Sequence, residues 1–365
     1  MPESAFSEIR DLLTLRLVPG LGPRLTAALL RQFGTAAAVL QASPEEIRNV
    51  PHVGEKLAHD ICAAFNRIEV DKELELMNRH DVHLIALGAA GYPTALASVP
   101  DPPQLLFIRG TLASADANAV ALVGSRNCTT YGRRVTERLA RGLVQAGFTV
   151  ISGLARGIDG VAHRAALQAG GRTLAVLAGG LSKIYPPEHA ELARDVQASG
   201  ALITESEMAM EPMAGMFPAR NRIISGLSRA VVIVEAAERS GALITASHAA
   251  EQGRSVLAVP GQVDSPASGG TNALIRKGAI LVRGVEDILE ELDGIRAAPM
   301  PPPPAPTSLD DGQRRLWDFL ADQPRHLDEM AQKLGLSVPE LSGMLLTLEM
   351  KRIVRRLPGN RYERV

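Results

Sequence analysis

Four short stretches of the 365-residue sequence place small residues beside cations: "GSRNCT" (124–129), "SGLARGID" (152–159), "GGLSKIYPPEH" (179–189) and "AERSGALIT" (237–245). Residues such as Gly124, Ser125, Ser152, Gly153, Ser240 and Gly241 let backbone N–H groups approach a ligand. Each stretch also leads toward a helix start, where those groups and the helix dipole favour an anion. Arg126, Arg156 and Lys183 lie in these loops, and "FPARNRIISGLS" (217–228) brings Arg220 and Arg222 on either side of Asn221. Arginine offers a planar fork that can hold phosphate oxygens in pairs. Several cations facing one crevice repel one another, so a run of phosphates suits them better than a single nucleotide. The competing reading pairs individual arginines internally with Glu205, Asp159 or Glu235.

Catalysis needs more than an anion site. Asp159 and His163 are four residues apart and share a helix face, the spacing of a carboxylate that orients a histidine. The alternative is a helix-capping Asp and a His that bonds a neighbouring loop. The pattern places no Ser or Cys nucleophile, and no second His or acidic cluster suggests a metal. The expectation is therefore no catalytic residue, no metal and no cofactor. The loop at 124 also lacks both the G-x-G-x-x-G fingerprint and the Lys-Ser/Thr ending of a P-loop.

These loops must be positioned by a sheet. Short apolar runs at 119–124, 148–152, 173–178, 201–204, 230–236, 255–260 and 279–282 alternate with helical stretches. That pattern predicts a doubly wound α/β domain with a parallel sheet, whose ligands sit at the carboxyl ends of the strands. Residues 83–112 are expected to add strands at the sheet edge. Ahead of it, residues 1–85 read as helical, with two similar stretches, "LVPGLGPRLTAALL" (17–30) and "NVPHVGEKLAHDI" (49–61). They resemble helix-hairpin-helix elements, in which Gly22 or Gly54 would let a DNA phosphate approach; the plainer reading is two tight corners in a bundle. "AAPMPPPPAPTS" lies in a proline-rich linker at 295–308. Residues 309–365 carry helix-turn-helix spacing with Gly335 in the turn and a Pro-Gly-Asn wing. Leu334, Leu336, Leu341, Leu345 and Leu348 form its apolar face. The boundaries read from sequence are thus 1–85, 86–294, 295–308 and 309–365.

Composition narrows the class of partner. The chain is 46% hydrophobic and 22% charged with a net charge of −1, so any hold on nucleic acid must come from cations concentrated locally. Aromatic residues make up 3% of the chain, which argues against a base-stacking platform and leaves phosphates to carry the binding. Only Cys62 and Cys128 are present, outside any C-x-x-C, so neither disulfides nor a thiolate metal site is expected. With no apolar run of the roughly 18 residues that a membrane span needs, the expected address is a reducing cytoplasm.

"SGLARGIDGVAHRAAL", "TLAVLAGGLSKIYPPEH", "FPARNRIISGLS", "VVIVEAAERSGALITASHAAEQGRSVLAVPG" and "GTNALIRKGAILV" together closely resemble the DNA-processing protein A family, DprA or Smf. The resemblance covers most of residues 85–290. It implies an extended Rossmann-like domain flanked by an N-terminal helix-hairpin-helix (SAM-like) domain and a C-terminal winged-helix-like domain. It further implies a cytoplasmic homodimer that binds single-stranded DNA, protects incoming strands in natural transformation and loads the RecA recombinase onto them. The family's DNA pocket carries over to Gly124, Ser125, Arg126, Ser152, Gly153, Lys183, Arg220, Asn221 and Arg222, with Ser240 and Gly241 beside them. Pro187 and His189 stand where relatives often have a basic residue and Asn, and "ESEMAMEP" lacks the usual Pro-x-Gly. The change at Pro187 and His189 would weaken that corner's hold on DNA.

Two other classes compete. Phosphoribohydrolases share a Rossmann-like fold but carry a P-G-G-x-G-T loop and a following catalytic Glu, which "GGLSKIY" does not match. A transcription regulator would read DNA through the tail, yet the predicted recognition helix has Glu340 and Glu349 against Lys351. The wing arginines Arg355, Arg356, Arg361 and Arg364 suit an auxiliary contact with duplex DNA better than the main single-strand site.

Overall fold

The computed structural model describes residues 3–65, 67–292, 309–320, 324–351, 353–357 and 359–364. The expected linker at 295–308 lies outside these residues. The chain divides into two compact units, Met1–Pro301 and Pro302–Val365.

The first unit opens with helices α1 (Glu3–Leu17), α2 (Pro23–Phe33), α3 (Ala36–Gln41), α4 (Pro44–Arg48), α5 (Glu55–Phe65) and α6 (Val70–Arg79). Local chemistry sets their limits. Pro23 starts α2 where a missing N–H costs nothing, Thr35 caps α3, and Ser43 with Glu46 forms a capping box on α4. The two similar sequence stretches fold alike. Leu21 N bonds Val18 O and Thr26 N bonds Gly22 O in one; Val53 N bonds Val50 O and Ala58 N bonds Gly54 O in the other. Gly20 and His52 occupy the matching positive-φ positions.

The sheet has nine strands: β1 (Val82–Ala86), β2 (Leu105–Gly110), β3 (Ala119–Gly124), β4 (Thr149–Ser152), β5 (Thr173–Val176), β6 (Ala201–Thr204), β7 (Ala230–Glu235), β8 (Ser255–Ala258) and β9 (Ile280–Leu281). Their spatial order is β1-β2-β6-β5-β4-β3-β7-β8-β9. β3 to β9 run parallel, whereas β1 and β2 form an antiparallel edge beyond β6. The chain steps from β3 outward to β6 and then returns to β7 on the other side of β3. The switch point, where such sheets open a crevice, is therefore the carboxyl end of β3.

Helices α7 (Thr94–Ala97), α8 (Thr130–Gln145), α9 (Ile158–Gln168), α10 (Ala190–Ser199), α11 (Met216–Gly226), α12 (Ala242–Glu251), α13 (Gly269–Arg276) and α14 (Val285–Glu291) cover the sheet. Successive strand residues face opposite layers. Ala119, Ala121 and Val123 of β3 join the cluster under α7, α11 and α12, and Val120 and Leu122 join the one under α8, α9 and α14.

The helical front does not form a core of its own. Leu13, Leu29, Val39, Ile47 and Ile61 share one apolar cluster with Phe107 of β2, Leu202 of β6 and Leu177. Polar bonds tie it further: Glu73 accepts from Met208 N at 2.7 Å and Arg16 Nε donates to Glu205 O at 2.7 Å. The boundary read at residue 85 falls inside β1.

The second unit contains α15 (Asp311–Phe319), β10 (Arg325–His326), α16 (Leu327–Leu334), α17 (Val338–Met350), β11 (Val354–Leu357) and β12 (Arg361–Arg364). Gly335 ends α16 in the left-handed conformation and Ser337 caps α17, which is a helix-turn-helix followed by a wing. Leu341, Leu345 and Leu348 are buried with Trp317 and Met330, while Leu334 and Leu336 pack at the rim. In the wing Arg355 pairs with Glu363 and Arg356 bonds Asn360. Among the described residues no helix is long and apolar enough to cross a membrane.

Candidate nucleic-acid interface

The connections after β3, β4, β5 and β7 meet at one edge of the sheet, and α11 crosses behind them. Thr129 caps α8 and is itself held by Glu235, which accepts from its N–H at 3.0 Å and from its hydroxyl at 2.5 Å. Ser125 N bonds Glu235 O at 2.7 Å. Glu235 therefore anchors the first loop and is not an arginine's counter-charge.

Two glycines make the site possible. Gly157 has a φ of +72°, and a Cβ there would stand 2.1 Å from Ser125 O, so the first two loops press together only without a side chain. A Cβ on Gly153 would stand 1.6 Å from Arg220 Nη1. The Arg220 guanidinium packs against that backbone and donates to Val176 O at 2.7 Å.

Arg220 is the deepest charge of the crevice, 6% exposed, and its Nε has no hydrogen-bond partner. Burial pulls its pKa down to about 10; Asp159 opposes that pull and Arg126 adds to it. It remains charged at neutral pH. Asp159 accepts from Gly153 N at 3.1 Å and Ala155 N at 3.4 Å. Burial pushes the Asp159 carboxyl up, against the opposing pull of Arg220 and the loop donors.

Above Arg220 the crevice opens in two lobes. One is lined by Arg156, Lys183, Tyr185 and Phe217 among others. The other is lined by Gly124, Ser125, Asn221, Arg239, Ser240 and Gly241 among others. Arg126 and Arg220 border both. Arg126 is exposed and stacks over the Phe217 ring, 4.5 Å from its centroid. Lys183 Nζ sits 2.9 Å from Glu211, and Arg156 pairs with Glu188, both at the exposed rim.

Most of the residues read from sequence meet here, but two side chains do not. Arg222 is 8% exposed, bonds Glu205 at 2.5 Å and Asp101 O at 2.7 Å, and lines neither lobe. The reason is helical phase: residues two apart on α11 point to different sides, so Arg220 and Arg222 cannot both face the crevice. Ser152 is fully buried and donates to Leu122 O at 2.6 Å, so it joins strands and offers the ligand nothing. Asn221 does reach the crevice, its Nδ2 donating to Gly241 O at 3.4 Å.

Nor do Asp159 and His163 form an acid–base pair. His163 is fully buried with Nδ1 2.7 Å from Thr173 Oγ1, and burial, with its cationic neighbours, holds its pKa down to about 3. His189, expected to weaken one corner, is also internal: it is 5% exposed and its Nδ1 lies 2.9 Å from Leu154 O.

Among the lining residues that the sequence reading missed are Arg239, Tyr185 and Phe217. Arg239 stood in a quoted loop and was available as a cation. Tyr185 and Phe217, whose ring centroids are 6.1 Å apart, were hidden by the low aromatic content of the whole chain. That average says nothing about where the few rings gather.

The family model described as DNA recombination-mediator protein A matches residues 83–293; a SAM-like helix-hairpin-helix tandem matches 9–67 and the DprA winged helix domain matches 300–360. Protein Smf of Escherichia coli is 41% identical over 303 residues, which are 81% of either chain. DNA processing protein A of Streptococcus pneumoniae, an X-ray structure, superposes with a TM-score of 0.68 at 33% identity, over 78% of this chain and 96% of that one. The Helicobacter pylori DNA processing protein A, whose single-stranded DNA binding mode has been described, superposes with a TM-score of 0.53 at 29% identity, over 58% of this chain and 95% of that one.

Proposed function

The chain belongs to the DNA recombination-mediator protein A family, and from that premise we propose that it binds single-stranded DNA by its backbone in the crevice at the carboxyl end of β3. One observation carries the reading: a buried arginine, Arg220, with an unpartnered Nε, lies under a groove that Arg126 borders on both lobes. A guanidinium held in low dielectric at the floor of that groove suits an incoming phosphate oxygen. Relatives' single-strand binding supports the choice of ligand. The strand is held and not transformed, since Asp159 and His163 are each engaged elsewhere.

Anisotropy titrations of single- and double-stranded oligonucleotides across salt test this. Single strands should bind more tightly, with log affinity falling against log salt at about −0.7 per phosphate neutralised. Arg126→Ala should weaken binding and flatten that slope; no change in either would remove Arg126 from the site.

We further propose that the protein acts in the bacterial cytoplasm as a homodimer that protects incoming strands in natural transformation and delivers them to RecA. The family's description as a recombination mediator supports this. RecA-driven strand exchange on strands coated with a single-strand-binding protein should accelerate on its addition. Absence of acceleration from a dimeric, DNA-binding preparation would sink the loader role. The winged-helix unit, with Arg361 exposed in the wing, would add a contact to duplex DNA.

A further inference from the structure

Helix α8 begins directly after the crevice loop that carries Arg126, and its outer face has a composition that helix stability alone does not explain. Tyr131, Arg134, Arg138 and Arg141 are all exposed. Their intervals of three, four and three residues set them in one line down the helix. Arg133 lies beside that line, and Glu137 is the single acid of the helix. Part of this arrangement works against the helix that bears it, although Glu137 stands four residues from both Arg133 and Arg141. The first turn has no acidic residue, although the helix dipole favours acids there. Arg134 and Arg138 are like charges four apart, which is destabilising.

Nor are these charges neutralised at home. Among the described residues none of the four arginines has a carboxylate partner, whereas Arg156, Lys183 and Arg283 each have one. Arg138 donates instead to a backbone carbonyl, Arg283 O, at 2.7 Å. At the crevice end of the line the Tyr131 hydroxyl donates to Pro260 O at 2.8 Å, which holds the 42%-exposed ring against the sheet's carboxyl edge.

We propose that the line from Tyr131 through Arg134 and Arg138 to Arg141 is a second track for single-stranded DNA, receiving the phosphates beyond those held in the crevice. This rests on the crevice reading given above, because α8 begins where the crevice loop that carries Arg126 ends. From Arg134 to Arg141 the helix rises about 10 Å. Each arginine along it is placed to neutralise one phosphate of a strand laid on that face. The three arginines together therefore account for about 2 units of the salt slope, at about 0.7 per phosphate.

The test compares oligothymidylates of about six and about thirty nucleotides, one short enough for the crevice alone and one long enough to run past it. The variant R134Q/R138Q/R141Q keeps helix-compatible side chains and removes the charge. Its affinity for the short strand should match the parent's, while for the long strand it should fall roughly tenfold at low salt and lose about 2 units of slope. Unchanged long-strand binding overturns the track. Equal loss on both lengths also overturns it, since the arginines would then belong to the crevice. Arg126→Ala is the separate control on the crevice reading: if it spares both lengths, that reading fails, and the triple variant still judges the track. Should the triple variant not fold, Arg138→Gln alone reports the same length-dependent loss at about one third of the slope change.

Discussion

Replacing Gly153 by alanine should weaken the hold on DNA about 10- to 100-fold while leaving the fold in place. The added Cβ would stand 1.6 Å from Arg220 Nη1 and 2.4 Å from Cζ, with no other side chain among its nearest atoms. Contact between carbon and nitrogen needs roughly 3.5 Å, so the guanidinium must move by about 2 Å. Its bond to Val176 O, 2.7 Å long, cannot survive that shift. The displaced group is the tip of a flexible side chain, so the backbone need not move. Losing a charged hydrogen bond costs about 1.5–3 kcal/mol, partly offset because the charge gains solvent. On the DNA side, one phosphate contact made by a charged donor is worth a similar amount, or about 10- to 100-fold in affinity, and about 0.7 of the salt slope. Anisotropy titration of Gly153→Ala, Arg220→Ala and the double variant measures both quantities. The double variant should be no weaker than either single one, because both act by removing the same guanidinium. Additive losses, or full affinity in Gly153→Ala beside a weak Arg220→Ala, would show that Gly153 does not act on DNA through Arg220.

Two further outcomes follow from the buried charges. Folding keeps His163 neutral, with a pKa near 3 against the ordinary 6.5. The unfolded chain therefore takes up its proton first, and the stabilisation is complete above about pH 6.5 and lost on acidification toward 3. Over that window it drops by at most ~1.4 kcal/mol per pH unit. Denaturant melts of parent and His163→Asn at several pH values should show this part of the dependence vanish in the variant; parallel curves would mean that His163 is not held neutral. Arg222→Met strands Glu205, whose side chain is 14% exposed, without its partner. It should cost about 3–5 kcal/mol in stability yet leave the salt slope for single strands unchanged, and a flattened slope would return Arg222 to the crevice.

The position of the crevice was legible because small residues recur after β3, β4, β5 and β7, and packing alone does not require them at each crossing. The cations Arg126, Arg156, Lys183 and Arg220 were legible for the same reason. What was not legible depends on phase and on distant partners. The string "ARNR" contains two arginines, but only once it is known to lie inside α11 does one of them turn away from the ligand. The rim pairs join residues far apart in the chain, Arg156 with Glu188 and Lys183 with Glu211, and no local pattern announces them. Tyr185 and Phe217 show the reverse error, a local cluster concealed by a global average.

The core that the helical front shares with the sheet bears on how the protein can be taken apart. Arg16 and Glu73 grip residues 205 and 208, and Gly180 and Ser182 bond onward to Met210 and Met208, within the loop that also carries Lys183. A hybrid that exchanges residues 1–85 between relatives would thus replace one side of a lock while keeping the other. The partner stretch at 205–210 has to travel with the front if the Lys183 loop is to keep its backing. An exchange of the second unit should instead be cut at Pro301, where the chain divides.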